Sequence, residues 1–289
     1  MGMGFILVIL SAVLFGTMPF FAKQIYALGG NAQTLCLHRF VFSIPFLYLI
    51  LRFRLNISLE ITKEQAGKLG ILSLGSSMAP FLLFQSYSYI SSGMATTIHF
   101  VYPILVILGC WAFYHEKMTG KKALCALLCC AGILCFYSPG EKGNAAGMLL
   151  AFTSGAAYAF YVVYYAKSGL ADEMNLYKLN FYLSIFSSVI LTVISGLGKK
   201  LVVYPSAKVW LMAVFFAFMV SILATVFFQA GTKEIGPEKA SMISTFEPLT
   251  SVLVGIFVFH ERFTLRTAGG IFCILCAVVL LALPEKNRE

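Results

Sequence analysis

One half of this chain repeats the other. Ile90, Ala95, Ile98, Pro103, Leu108, His115, Glu116, Thr119, Lys121 and Ala123 recur 145 positions later as Ile235, Ala240, Ile243, Pro248, Leu253, His260, Glu261, Thr264, Arg266 and Ala268. A Phe-Gln pair precedes each copy, Phe84-Gln85 in the first and Phe228-Gln229 in the second. The offset is half of the 289-residue length. Hydropathy suggests five membrane-crossing helices in each half. An odd number turns the second half upside down relative to the first. Inverted repeats of this kind build alternating-access carriers, with a site between the halves.

The solvent of the fold follows from composition. Apolar residues make up 60% of the chain and charged residues 11%. Soluble domains average about 45–50% and about 25%. The apolar residues fall in runs of about 20, enough to cross a hydrocarbon core of about 30 Å. Only helices satisfy the backbone in such a setting when the runs are this long. The expected fold is an all-α membrane protein with ten transmembrane helices, arranged as two inverted five-helix repeats over residues 1–140 and 144–285. The predicted helices cover 4–27, 32–53, 67–90, 93–114 and 120–138, then 145–167, 176–197, 208–230, 238–259 and 264–283. A soluble helical core is the weaker alternative. The first apolar stretch lacks a basic leader and is too long for a signal segment, so it reads as a retained helix.

Basic residues set the orientation. Thirteen fall on the side that carries both termini, among them Arg52, Arg54, Lys117, Lys121, Lys122, Lys167 and Lys233. Seven fall on the other side, Lys23, Lys142, Lys199, Lys200, Lys208, Arg262 and Arg266. Both termini are therefore expected in the cytoplasm, with the chain in the cell (plasma or inner) membrane. Positive-inside loops account for the net charge of +9, so no nucleic-acid partner is expected. Trp111 and Trp210 suit an interfacial belt. The duplication puts both pseudo-symmetric halves in one chain, which makes a monomer the default.

Other chemistries lack their residues. Seven of the eight cysteines lie inside apolar runs, where Cys acts as a small hydrophobe. Cys273 and Cys276 have zinc-ligand spacing but no second pair nearby. His115-Glu116 and His260-Glu261 lack the second His of a zinc-protease helix, and no phosphate-binding Gly-Lys loop is present. No metal or cofactor is expected, and the chain does not read as an enzyme.

The chain resembles the drug/metabolite transporter superfamily, EamA type, over nearly its whole length. The residues that carry the resemblance are Ser11 to Gly16 and Ser154 to Ala159 opening the halves, and Arg39 early in the second helix. Ile235-Gly236-Pro237 through Ala240-Ser241, Glu247-Pro248, and the terminal Glu116 and Glu261 complete the pattern. The resemblance implies a ten-helix carrier of small organic solutes, often an exporter of amino acids or related metabolites. The halves have diverged. The counterpart of Arg39 falls near Asn180 to Leu183, and that of Glu247 is Tyr102.

Polar groups within the predicted spans mark the candidate site. Glu247 is the one acidic residue in mid-span. A charge at the bilayer centre costs about 2.5–3.5 kcal/mol on insertion scales, so it faces a partner or a watery cavity. It is a candidate for binding a substrate amine, for carrying a coupling proton, or for pairing with Arg39. His99 is the second proton-coupling candidate. On a continuous helix it shares a face with Tyr102, as its repeat equivalent Ser244 does with Glu247. Gln85 and Gln229 are candidate cavity amides. Tyr158 and Tyr161, with Tyr165 and the repeat partner Phe15, form an aromatic stripe that suits packing or the wall of an amphiphilic site. Arg39 reads first as a helix-end residue reaching the interface, and second as a clamp for a substrate carboxylate. Pro103 and Pro248 are matched in-helix prolines and candidate hinges.

The expected function is secondary transport of a small-molecule substrate across the lipid bilayer, as export by alternating access. Helices 1, 3, 4, 6, 8 and 9 are expected to line the cavity, and the substrate or a proton gradient to supply the energy. Proton-coupled uptake and drug efflux are the alternatives. A membrane enzyme acting on lipid-linked substrates is the reading from a different class.

Overall fold

A computed structural model describes residues 2–90, 92–135, 144–197, 201–259 and 264–282. The predicted loop residues Lys142, Lys199, Lys200, His260, Glu261, Arg262, Lys286 and Arg288 lie outside them.

Ten helical rods follow one another among the described residues. In the first half they are α1 (Met3–Ala27), α2 (Ala32–Arg54), α3 (Lys63–Ser86), α4 (Ser92–His99 and Tyr102–Tyr114) and α5 (Gly120–Cys135). In the second they are α6 (Ala145–Lys167), α7 (Leu176–Leu197), α8 (Ala207–Ile235), α9 (Pro237–Ile243 and Phe246–Phe259) and α10 (Leu265–Ala282). Seven of the described helices are long and apolar enough to cross a membrane. Large apolar side chains such as Phe113, Leu127, Leu211, Phe257 and Phe272 are exposed on the outside of the bundle. In water such a surface would aggregate, whereas in lipid it is solvated.

Local chemistry sets the ends. Asn31 accepts from the Thr34 amide at 2.9 Å and starts α2. Thr62 and Gln65 form a reciprocal capping box. That box starts α3 at Lys63, four residues earlier than hydropathy suggests, because a capped polar turn can extend a helix beyond the apolar run. Asn144 caps α6 through the amides of Ala146 and Gly147. α8 runs on to Ile235, beyond the predicted 230, until Gly236 turns the chain at φ +85° and Pro237 opens α9.

Four rods predicted as continuous are broken in the middle, α2 among them at Phe42, ahead of Pro45. α1 is interrupted at Thr17, just before Pro19. α4 and α9 are interrupted at matching places, ahead of Pro103 and Pro248. A proline has no N–H and its ring crowds the preceding turn. The chain there tightens instead, with Val101 N bonded to Ile98 O and Thr245 N to Met242 O, both at 3.2 Å. α8 widens into a π-helical stretch over Ala217–Ala224. Ser11 of α1 donates to the Ala224 carbonyl at 2.7 Å and satisfies one of the displaced acceptors.

Packing repeats the sequence duplication in space. α1 lies against α8 and α9, and its counterpart α6 lies against α3 and α4. α2 meets α7, and α5 meets α10. Each of these contacts joins the two halves. Exchanging the halves maps every one onto itself or its mate, as a two-fold relation requires, and five spans per half make that relation an inversion. Two seams are closed by glycine. A Cβ on Gly16 would come within 2.6 Å of the Glu247 carbonyl, and one on Gly155 within 2.5 Å of the His99 carbonyl. Without an apolar driving force between helices, such close backbone approach is a main source of association.

Candidate functional site

All five ion pairs of the described residues gather at one end of the bundle. Lys68 from the start of α3 joins Glu64 and Glu173 at 2.9 and 2.7 Å. Lys122 of α5 pairs with Glu238 of α9, and Lys167 ending α6 pairs with Glu116 beyond α4. Lys233 of α8 reaches Asp172 at 2.9 Å. α1 starts at this end, with Gly4 against Glu234 and Ile235. Cys110 lies beneath, within 4.8 Å of the Glu116 and Glu238 carboxylates. That trio has metal-ligand chemistry, but two lysine ammonium groups already neutralise its carboxylates. Four of the five join segments far apart in the chain and together tie this end shut, whereas Lys68–Glu64 lies within the first turns of α3.

A cavity of about 700 Å³, counting its open mouth, lies between the halves. Phe15 and Met18 face it from α1, Tyr158 and Tyr161 from α6, His99 from α4, Phe228 from α8 and Glu247 from α9. The wall also includes residues of α2 and α7, which the sequence reading left out. Arg39 and Phe40 come from α2, and Asn180, Leu183 and Ser184 come from α7. Arg39 therefore does not reach out to the interface. It points inward, its Nε donating to Ser221 Oγ at 3.1 Å from the widened turn of α8. Of the α7 residues that stand where a second arginine would fall, Asn180 to Leu183, the two end residues Asn180 and Leu183 face the same space.

Five of the expected site residues are thus on the wall: Phe15, His99, Tyr158, Tyr161 and Glu247. Four are not. Tyr102 is fully buried behind it, with its ring 4.7 Å from that of Tyr158 and edge-on to it. Ser244 is buried and donates to the Ala240 carbonyl at 3.0 Å. The breaks in α4 and α9 fall between His99 and Tyr102 and between Ser244 and Glu247; the His99 and Tyr102 rings still meet, 5.4 Å apart, but only His99 and Glu247 reach the wall. Gln85 is half-buried near the end of α3, away from the cavity. Gln229 sits one layer back, where its Nε2 donates to Tyr161 Oη at 2.8 Å and braces the wall. Pro103 and Pro248 are buried directly after the breaks. Composition offered a signal for the missed α7 residues. Asn180 and Ser184 are spaced i, i+4, which puts two polar groups on one face of an apolar span.

His99 has a defined hydrogen-bond state. Ser154 Oγ donates to the Ala79 carbonyl at 2.6 Å, so its proton is taken. The contact of 2.9 Å between Ser154 Oγ and His99 Nδ1 then needs the imidazole as donor. In the neutral ring this leaves Nε2 as an acceptor.

The EamA-like transporter family matches twice, over residues 2–138 and 145–283. The chain belongs to that family. As an EamA-like chain it is a multi-pass membrane transporter for a small molecule rather than an enzyme, in agreement with its fold. An uncharacterized transporter of Bacillus subtilis (strain 168), YcbK, is 23% identical over 304 residues, covering 99% of this chain and 96% of that one. An uncharacterized transporter of Archaeoglobus fulgidus is 26% identical over 278 residues, covering 94% of each. A solved crystal structure superposes with a TM-score of 0.75 over 96% of both chains at 14% identity, a likeness of fold alone.

Proposed function

We propose that this EamA-like transporter exports amino acids or related small metabolites from the cytoplasm by alternating access. One observation carries the reading. The cavity is built by both halves, is walled by aromatic rings, holds a lone mid-membrane carboxylate, and is tied shut at one end by ion pairs. That end carries the excess of basic residues, which supports placing it and both termini in the cytoplasm of a plasma or inner membrane. The described state is then the outward-facing one. In the inward-facing state the same ion pairs part, and the breaks before Pro103 and Pro248 bend. Glu247, with His99 beside the same space, is positioned to receive the substrate amine or a coupling proton. A functional monomer suffices, because the chain supplies both halves of the cavity.

Counterflow in liposomes tests this. Purified protein loaded with unlabelled amino acids should take up the labelled species transiently, and Glu247→Gln should abolish the effect. Exchange that survives in the variant but ignores a pH gradient would assign Glu247 to proton coupling. Uptake driven only by an inward proton gradient would favour the uptake reading, and exchange restricted to lipophilic cations would favour drug efflux. No exchange of any solute by folded protein would sink the proposal.

A further inference from the structure

The cavity holds one buried basic and one buried acidic side chain, and neither has a salt-bridge partner among the described residues. Arg39 is 6% exposed and Glu247 is 7% exposed. The five ion pairs of the described residues include neither of them. They are close enough to interact electrostatically, with Tyr158 within reach of both, yet no contact within 4.0 Å joins them. Arg39 uses its Nε on Ser221, and its guanidinium carbon lies 5.0 Å from the centre of the Phe40 ring. The described hydrogen bonds leave both Nη groups and the Glu247 carboxylate without a protein partner.

An isolated buried charge costs several kcal/mol even after relaxation. Had the two side chains touched, each would have been the other's partner and the site would be closed to a charged ligand. The gap leaves a planar fork of N–H donors at one pole, the geometry that binds a carboxylate through two parallel hydrogen bonds. At the other pole it leaves a carboxylate. His99, whose Nδ1 is committed to Ser154, adds an acceptor rather than a donor to the same cavity. Between the poles the wall is apolar and aromatic, formed by Phe15, Tyr158 and Phe228.

We infer that the cavity selects a dipolar ion: its carboxylate sits on Arg39, its ammonium on Glu247, and its apolar body against Phe15, Tyr158 and Phe228. This deepens the transport reading above and rests on it. Arg39 becomes the specificity-determining residue. A simple amine would leave the guanidinium buried and unpaired, and a simple carboxylic acid would do the same to Glu247. A site with committed polar groups rejects a ligand that lacks the matching group far more strongly than it senses one methylene.

Ligand-dependent thermal unfolding of the full chain in detergent tests this without requiring transport. The probes are L-leucine and L-phenylalanine, their decarboxylated forms isoamylamine and phenethylamine, and their deaminated forms 4-methylpentanoate and 3-phenylpropionate. At least one amino acid should stabilise the protein, with its two truncated forms binding roughly 10,000-fold more weakly. Arg39→Gln should remove the preference over the amine, and Glu247→Gln the preference over the acid. Arg39→Lys keeps the charge without the fork and should retain part of the preference, which guards against a folding defect in the glutamine variant. Amines that bind as well as amino acids, an unchanged preference in Arg39→Gln, or no stabilisation by any of the six would overturn the assignment. Selective binding without counterflow in liposomes would sink the transport reading and leave the dipolar site standing. Counterflow whose selectivity ignores Arg39 would do the reverse.

Discussion

The side-chain amides of Asn180 and Gln229 face each other across the α7–α8 contact. Asn180 Nδ2 donates to Gln229 Oε1 at 2.6 Å, and Gln229 Nε2 donates back to Asn180 Oδ1 at 3.2 Å. Gln229 also holds the Tyr161 hydroxyl, and its backbone carbonyl accepts from Tyr165 at 3.0 Å. The pair thus fixes one wall of the cavity from behind.

Gln229→Leu should unpair Asn180 and Tyr161 together. Leaving buried polar groups unsatisfied costs about 1–3 kcal/mol. The apparent melting temperature in detergent should fall, and the Asn180→Leu, Gln229→Leu double variant should recover part of the loss. Independent, additive losses in the two single variants would show that the amides are not coupled.

The glycine seams give a second expectation. Gly155→Ala drives a methyl into the His99 carbonyl, and overpacking of this kind costs about 1–3 kcal/mol. Gly67→Ala in α3 meets nothing within 4 Å and should be neutral or slightly stabilising. Equal melting temperatures for the two variants would contradict the close α4–α6 approach.

Lys122 and Glu238 form part of the closed end, directly over buried Cys110. In a chain retaining Cys110 as its one cysteine, Lys122→Met should raise the rate of thiol labelling roughly tenfold, equivalent to about 1.4 kcal/mol taken from the closed state. The charge swap Lys122→Glu with Glu238→Lys should bring the rate back down. Unchanged labelling in the single variant would remove the ion pair from any gating role.

Glu173 lies in the turn between α6 and α7, outside the spans. The hydrogen bond from Lys68, aided by the ammonium charge, holds its carboxyl below the ordinary value of 4.5. A carboxyl depressed in the folded state stabilises above its unfolded pKa, and the contribution is lost as pH falls through the folded value. The melting-temperature difference between the native chain and Glu173→Gln should therefore be flat above about pH 5 and close as pH drops below the ordinary carboxyl range. A difference that persists through that range would mean Lys68 does not act on this carboxyl.

The ten-helix count, the inversion and the facing of Glu247 onto a cavity were legible in the amino-acid order. Apolar run length and an internal repeat are local, one-dimensional signals, and a lone acid amid apolar residues is costly wherever its helix ends up. Arg39 was visible as an oddity but read in the wrong direction, because an arginine near a helix end can reach water or turn inward at similar cost. Its direction depends on Ser221 in the widened α8, a partner 182 positions away.

Only the tertiary structure decided which helix faces line the cavity. Lipid and neighbouring helices are both apolar, so hydropathy cannot tell the outer face of a span from a packed one. The breaks before Pro103 and Pro248 then changed the register on which Tyr102 and Ser244 had been placed, moving both behind the wall. Proline marks where a helix loses a hydrogen bond, but the direction of the resulting bend is set by the helices packed around it.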